Sequence, residues 1–246
     1  MPFARDLCRL FHATAAAACC LVAGAGADAA PIALQTPAGL APGSVFRFLY
    51  TTQSTTAASS TDIATYDTFV NADAAGATYG GVAVQWKTLG STVTVDARDH
   101  VGGFGTIVPV YNTLGQLLAT DLTDTTSQGL WADIAPTPLI VGLDGSTVVT
   151  DEYVWTGTES DGTVNLNNLA RALGGLTPSA GDASGGTYSW LTRSSYTNSQ
   201  LRSLYAMSET LTVASSSVPE IDPAGLSSVV TLLGGVLALI ERRRRS

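Results

Sequence analysis

The stretch Ser44-Val-Phe-Arg-Phe-Leu-Tyr50, together with the helical pattern at residues 62–75, determines the fold class of this 246-residue chain. The first segment alternates in the manner of a strand and carries β-branched and aromatic side chains. The second segment predicts a helix that Thr61 can cap. Its apolar residues recur at spacings of three and four and therefore share one face; they are Ile63, Tyr66, Val70 and Ala74.

Short strand-like runs and long loops follow this helix, and together they predict an α+β domain at residues 30–213. The Leu89-Gly90 pair separates the first two runs, and Pro109 places the third at a sheet edge. Residues 179–186, rich in Gly, Ser, Ala and Asp, predict a loop, and residues 214–217 a linker. The strand-like runs are 82–87, 91–95, 106–111, 116–119, 147–150, 153–156, 188–191, 204–207 and 209–213.

The charge of the central region argues against nucleic-acid binding. Residues 31–217 hold six Lys or Arg side chains and fifteen Asp or Glu side chains, an excess of nine negative charges. A nucleic-acid interface needs a cationic footprint instead. An acidic surface rich in Thr, Ser and Gly suits a solvated extracellular module.

The first 29 residues have the pattern of a secretory signal peptide, which implies export through the Sec translocon. Two arginines precede an apolar stretch at residues 10–22, and Ala27-Asp28-Ala29 fits the A-x-A cleavage pattern. Lipidation at Cys19 is a weaker alternative, since Ala16 stands where a lipoprotein signal has a large aliphatic residue. All three cysteines precede the expected cleavage site, so the mature domain depends on its hydrophobic core without disulfides.

The last part of the chain has the pattern of a membrane segment with a cationic stop. Residues 224–240 are 17 residues without a charge, about the shortest helix that spans a bilayer core of about 30 Å. Four arginines that follow it favour a cytoplasmic end; they are Arg242, Arg243, Arg244 and Arg245. The alternatives are a permanent single-pass anchor and a buried core helix.

The same region resembles the PEP-CTERM sorting signal of bacteria with an outer membrane. A Pro-Glu motif, an apolar helix and an Arg-rich end occur in that order within residues 218–246, although the second proline of the usual motif is replaced by Ile221. The resemblance implies processing by an exosortase, a membrane transpeptidase, and delivery to the cell surface or extracellular matrix. The motif residues are Val218, Pro219, Glu220, Ile221, Asp222 and Pro223.

The order of segments in the central domain resembles bacterial surface domains related to endostatin and, more distantly, to C-type lectins. The resemblance is carried by the opening strand, the helix that starts at Asp62, Trp86-Lys87, the segments 108–111 and 116–119, residues 154–158 with Asp161-Gly162, Trp190, and residues 204–206. The staple cysteines and the Glu-Pro-Asn and Trp-Asn-Asp triplets of sugar-binding C-type lectins are absent. The resemblance implies a fold and a binding role.

Candidate catalytic and metal-binding residues are few. His100 is the one histidine of the expected mature domain, and it lies in a polar stretch, 96–100, that predicts a loop. No G-x-S-x-G nucleophile elbow is present, and one histidine without cysteine does not make an ordinary zinc site. We therefore expect no catalytic residue, no metal ion and no cofactor. Asp96 with Asp99, or Asp121 with Asp124, could hold Ca²⁺, but solvated turn carboxylates are the simpler interpretation.

Four tryptophans could form a sugar-stacking platform or a core. Trp86, Trp155 and Trp190 lie in strand-like runs and are expected in the core, whereas Trp131 is less constrained. The glycine-rich run 102–105 lacks the lysine and the strand–helix context of a phosphate loop.

The sequence thus predicts a non-enzymatic, exported binding or adhesion protein associated with extracellular polysaccharide. A secreted polysaccharide hydrolase and a purely structural matrix protein remain the alternatives.

Overall fold

Short strands, long loops and two short helices make up the described part of the chain, which confirms the α+β class. The computed structural model describes residues 31–132, 139–147, 153–184, 187–215 and Arg243. The helices are α1 (Ile63–Asp73) and α2 (Ala97–Val101), and 3₁₀ turns occur at Leu169–Arg171 and Thr187–Trp190. The strands are β1 (Ala33–Leu34), β2 (Val45–Thr51), β3 (Thr56–Ala57), β4 (Thr78–Tyr79), β5 (Val82–Ala83), β6 (Trp86–Thr88), β7 (Val110–Asn112), β8 (Leu117–Ala119), β9 (Tyr153–Trp155), β10 (Ser179–Asp182), β11 (Ser194–Ser195), β12 (Leu201–Arg202), β13 (Tyr205–Ser208) and β14 (Leu211–Thr212).

Strand β2 lies at the centre of the largest sheet, whose order is β6-β13-β2-β7-β8. It pairs antiparallel with β13 at its end and with β14 at its beginning, and parallel with β7 on the other side. Between β13 and β14 the ladder is interrupted, and the Phe48 amide donates to Ser208 Oγ at 2.9 Å instead. The predicted strand at 44–50 is therefore the core of the fold.

The two faces of β2 each cover a separate hydrophobic cluster, as the period-2 alternation of a strand requires. Phe46, Phe48 and Tyr50 face the cluster beneath α1, while Leu49 faces the cluster that includes α2 and Trp190. All four side chains are at most 1% exposed. Full burial of such a side chain contributes about 1.5–3 kcal/mol to stability.

Helix α1 buries the predicted face, but its N-cap is not the predicted residue. Tyr66, Val70 and Ala74 are buried, as their spacing predicts. The N-cap is Asp62 rather than Thr61, because Asp62 Oδ1 accepts the Ala64 amide at 3.0 Å. The Tyr50 hydroxyl donates to the Val70 carbonyl at 2.9 Å and ties the helix to the sheet.

Several local predictions are wrong. Residues 96–100 lie at and within helix α2 rather than in a loop, and residues 91–95 form one bridge, from Thr92 to Leu173, instead of a strand. Strand β7 lies between β2 and β8, not at an edge; Pro109 precedes the strand, so the ladder loses no donor there.

The region predicted as a loop at 179–186 contains strand β10, the middle strand of a second sheet with order β11-β10-β9. The stretch predicted as a strand at 188–191 is mostly the 3₁₀ turn Thr187–Trp190. Small residues are required in β10 because the turn packs directly on it. A Cβ atom at Gly181 would lie 1.6 Å from the Trp190 carbonyl oxygen.

The terminal predictions fall outside the described residues. These are the signal peptide 1–29 with its cleavage residues Ala27 and Ala29, residues 216–242 and residues 244–246, so the sorting motif and the segment 224–240 are included. Arg243 is described and is exposed. Within the described ranges, no helix has the length and apolar character needed to cross a bilayer.

Candidate functional site

An open groove of about 620 Å³ lies between the loop that follows β8 and the turn that follows β9. The loop supplies residues 124–127 and Trp131, and the turn supplies Ser160 and Asp161. Most of its lining groups are hydroxyls or carboxylates; they belong to Asp124, Thr125, Thr126, Ser127, Ser160 and Asp161.

The loop wall of the groove is held by the buried carboxylate of Asp121, which is 5% exposed. It accepts the Thr123 amide at 3.0 Å and the hydroxyls of Thr123, Thr126 and Thr120 at 2.5, 2.8 and 3.0 Å. Burial alone would raise the pKa of Asp121, but these hydrogen bonds more than offset it and hold the pKa below its usual value. Asp121 is thus a buried structural residue and not the solvated turn carboxylate that the sequence suggests.

The turn wall is fixed by a second carboxylate and by close packing on Trp131. Asp161 Oδ1 accepts the Thr163 amide at 3.0 Å and the Thr163 hydroxyl at 2.7 Å. Gly162 has a φ of +81°, and a Cβ there would lie 2.5 Å from Cε3 of Trp131. Only glycine meets both conditions without strain, so the two walls are in fixed contact.

The arrangement can bind a ligand rich in hydroxyl groups. The Asp124 carboxylate is exposed, and the neighbouring Thr and Ser hydroxyls both donate and accept hydrogen bonds. Trp131 is only 2% exposed, and its indole Nε1 has no hydrogen-bond partner among the described residues. Its ring therefore supports the groove floor rather than stacking on a ligand.

The four tryptophans do not form a platform, because all are buried. Trp86, Trp155 and Trp190 lie in the core as predicted, at 2%, 0% and 1% exposure. Trp155 Nε1 also donates to the Thr56 carbonyl at 3.1 Å. The prediction that Trp131 is less constrained is wrong.

His100 forms a pair with Asp67 that joins α1, α2 and β6. Its Nε2 lies 2.9 Å from Asp67 Oδ1, which also accepts the Thr88 amide at 2.8 Å. The Lys87 ammonium donates to the His100 carbonyl at 2.7 Å. Burial opposes ionisation of Asp67, but the bonds from His100 and Thr88 lower its pKa overall. The structural role of His100 is therefore to link these three elements through hydrogen bonds.

A smaller cleft of about 250 Å³ carries two carboxylates, Asp73 and Asp144. Asp73 accepts the amides of Gln53 and Ser54 at 3.3 and 2.9 Å. Asp144 accepts the Ser146 amide at 2.9 Å and the Gln53 side chain at 3.1 Å. The bonds from Ser146, followed by that from Gln53, lower the pKa of Asp144.

The candidate calcium ligands are not gathered into one site. Asp96 Oδ1 accepts the Val164 amide at 2.6 Å, and Asp99 is exposed on α2. Asp121 is enclosed by its threonines, while Asp124 lies at the groove. Over the described ranges, no group of three or more His, Cys, Asp or Glu side chains could hold a metal ion.

The sequence did not predict the groove, because its walls come from segments about thirty residues apart in the chain. A local signal was present for one wall. In Asp121-Leu-Thr-Asp-Thr-Thr-Ser127, an acidic residue is followed by hydroxyl side chains at short spacing, a pattern typical of side-chain-to-backbone turns.

Comparison with known proteins does not assign the chain to a family. No family model matches the sequence, and no curated protein matches it either.

Proposed function

We propose that the protein is an exported, non-enzymatic surface or matrix protein that binds extracellular polysaccharide in the groove between residues 124–127 and 160–161. The observation that carries this proposal is the groove itself: it is open, has a volume of about 620 Å³, and is lined by hydroxyls and carboxylates together with Trp131 and Ala132. Sugars present many hydroxyls, and each can exchange hydrogen bonds with such groups. The related fold proposal is a domain similar to endostatin and C-type lectins.

The location proposed for this activity rests on the two ends of the chain. The pattern of residues 1–29 supports export, and residues 218–246 support recognition by an exosortase through Val218 to Pro223. In this scheme the apolar helix 224–240 holds the protein in the membrane until processing, while Arg242 to Arg245 stay in the cytoplasm. Retention of the helix as a permanent anchor is the alternative.

A polysaccharide hydrolase is the second candidate, favoured by the cleft with Asp73 and Asp144. A glycosidase needs one carboxyl with a raised pKa as the general acid. The pKa values of Asp67, Asp121 and Asp144 all shift downward. The Asp73 carboxylate also accepts hydrogen bonds from two backbone amides, which gives it a structural role. These observations support binding over hydrolysis.

Replacing Asp124 by asparagine is expected to weaken glycan binding about tenfold without changing stability. Asp124 is exposed and makes no hydrogen bond to a described residue, and a hydrogen bond to a charged acceptor contributes about 1.5–3 kcal/mol. Isothermal titration with neutral oligosaccharides chosen from a glycan array measures the loss. Asp99→Asn, which removes an exposed carboxylate from α2, is the matched control. Equal affinity in both variants, or no binding to any glycan, would contradict the proposal.

Deleting Arg242 to Arg245 is expected to abolish surface display. Without the cationic stop the C-terminal segment loses its orientation signal, so the protein is released or held in the periplasm. Replacement of all four by lysine, which keeps the charge, should preserve display. Surface immunolabelling reports location, and mass spectrometry of the mature C-terminus reports whether cleavage near Pro219 occurs. Undiminished display after the deletion would refute the sorting proposal.

A further inference from the structure

Two arginines flank the glycine-rich loop 102–105, and neither is paired with a carboxylate among the described residues. Arg47 extends from β2 and Arg98 from α2. The domain carries far more acidic than basic side chains, so unpaired arginines are unexpected where partners are abundant. A cation that is buried or partly buried without a counterion is a candidate for binding an anion from outside.

Arg47 is the more buried of the two, at 7% exposure. Its Nη1 donates to the Val101 carbonyl at 2.8 Å and lies 3.6 Å from the Met207 sulfur, and its Nε donates to the Thr210 hydroxyl at 3.1 Å. Its Nη2 donates to no described acceptor. Burial lowers the pKa of the Arg47 guanidinium, which nevertheless stays charged. Three of its contacts fix the side chain, and one nitrogen remains for a ligand.

Arg98 supplies a second cation at the same loop. Its guanidinium carbon lies 4.7 Å from the centre of the Phe104 ring, which is a cation–π arrangement. Its Nε is buried and has no hydrogen-bond partner among the described residues. Within the described part of the chain, the Arg98 side chain is thus positioned by the Phe104 ring and not by a carboxylate.

The loop between the two arginines has two backbone N–H groups that make no hydrogen bond to a described acceptor. The amides of Gly103 and Phe104 donate to no described backbone or side-chain acceptor, whereas Gly105 and Thr106 are bonded to Leu122 and Gly103. A Cβ at Gly103 would lie 3.2 Å from Arg47 Nη2, so this glycine brings the backbone against the guanidinium. Backbone amides in glycine-rich loops are common donors to bound anions.

This cationic loop adjoins the groove through Gly162. The Arg98 amide donates to the Gly162 carbonyl at 3.2 Å, and a Cβ at Gly162 would be 3.0 Å from Cβ of Arg98 and 2.5 Å from Trp131. Asp161, the neighbour of Gly162, lines the groove. The helix that carries Arg98 therefore packs directly against the turn that lines the groove.

We propose that Arg47, Arg98 and the amides of Gly103 and Phe104 bind the carboxylate of an acidic sugar, so that the protein selects uronate-containing polysaccharides. The inference rests on the proposed polysaccharide-binding function and names its ligand class. Arg47 Nη2 and the Arg98 guanidinium can each donate a charge-assisted hydrogen bond to a carboxylate. A uronate carries one such charge per sugar, which suits the two cations, and hydroxyls elsewhere, which can donate to the hydroxyl and carboxylate groups of the groove. Nucleic acids carry denser charge and are disfavoured by the acidic domain.

The test is titration of the full-length protein with a hexameric oligouronate and with a neutral hexasaccharide of the same linkage. The oligouronate should bind about tenfold more tightly, and added salt should reduce that preference. Arg98→Gln should remove the preference and leave the affinity for the neutral hexasaccharide unchanged. Arg193→Gln, which removes an exposed arginine elsewhere, should change neither. Arg47→Lys, which retains the buried charge but removes Nη2, should also reduce the preference.

The outcomes separate this inference from the function on which it rests. Equal binding of both hexasaccharides, or a preference that survives Arg98→Gln, overturns the acidic-sugar assignment while polysaccharide binding stands. Binding of inorganic sulfate as tightly as the oligouronate reduces the site to a general anion site and also overturns it. Failure of both oligosaccharides to bind overturns the proposed function and the inference together.

Discussion

Gly181→Ala is expected to destabilise the domain by more than about 4 kcal/mol, a large part of the 5–15 kcal/mol that stabilises a typical domain. The added methyl group would lie 1.6 Å from the Trp190 carbonyl oxygen and 2.4 Å from its carbonyl carbon. Both are backbone atoms, so no rotamer change relieves the clash. Gly181 also pairs with Val154 in the ladder between β10 and β9. Either the turn must move away or the sheet must open.

The matched control is Gly80→Ala, which separates a clash from a backbone preference. Gly80 has a φ of +59°, but nothing lies within 4 Å of the position of its Cβ. Its replacement should cost about 1–2 kcal/mol through the left-handed conformation alone. Urea denaturation monitored by tryptophan fluorescence measures both changes. Similar losses in the two variants would show that the packing of Trp190 on β10 is not tight.

Gly181 illustrates which parts of the fold can be predicted from the sequence and which cannot. Strand β2 and helix α1 were predictable because their burial follows periods of two and of three to four residues, as Phe46, Phe48, Tyr66 and Val70 illustrate. Strand β10 carries Ser179, Ala180, Gly181 and Asp182, a composition typical of a loop. Its conformation is set by the turn Thr187–Trp190 that packs on it. The strand propensities of its own residues do not indicate that contact.

The residue types of the candidate site can likewise be predicted from the sequence, whereas the contacts between its distant segments cannot. The aspartates and threonines of the groove are visible in the sequence, but the contact between Trp131 and Gly162 that joins its walls is not. Likewise Arg47 and Arg98 are more than fifty residues apart, and a sequence does not show that both flank Gly103. Motif searches respond to short fixed spacings, whereas this site is assembled by the sheet and by α2.

Asp121→Ala is expected to destabilise the domain by about 2–3 kcal/mol and to weaken glycan binding as well. The substitution removes four hydrogen bonds to a buried charged acceptor; they come from Thr120, Thr123 and Thr126, and Thr126 lines the groove. Loss of the bonds to Thr123 and Thr126 frees the segment that carries Asp124. Hydrogen exchange should therefore rise in residues 120–131 before it rises in β2, because local opening requires less free energy than global unfolding.

The lowered pKa of Asp121 also makes the stability of the domain depend on pH. Hydrogen bonds hold the pKa of Asp121 below its unfolded value in spite of burial. Its contribution to stability is therefore fully present above the unfolded pKa of about 3.9 and is lost as the pH falls through the lower folded pKa. The wild-type protein should lose stability in this acidic window, and Asp121→Ala should lose less. Asp124→Asn, which alters an exposed carboxylate of the same loop, should retain the wild-type profile. If Asp121→Ala and the wild-type protein show parallel profiles below pH 4, the threonine shell around Asp121 does not stabilise its charge, and the prediction is wrong.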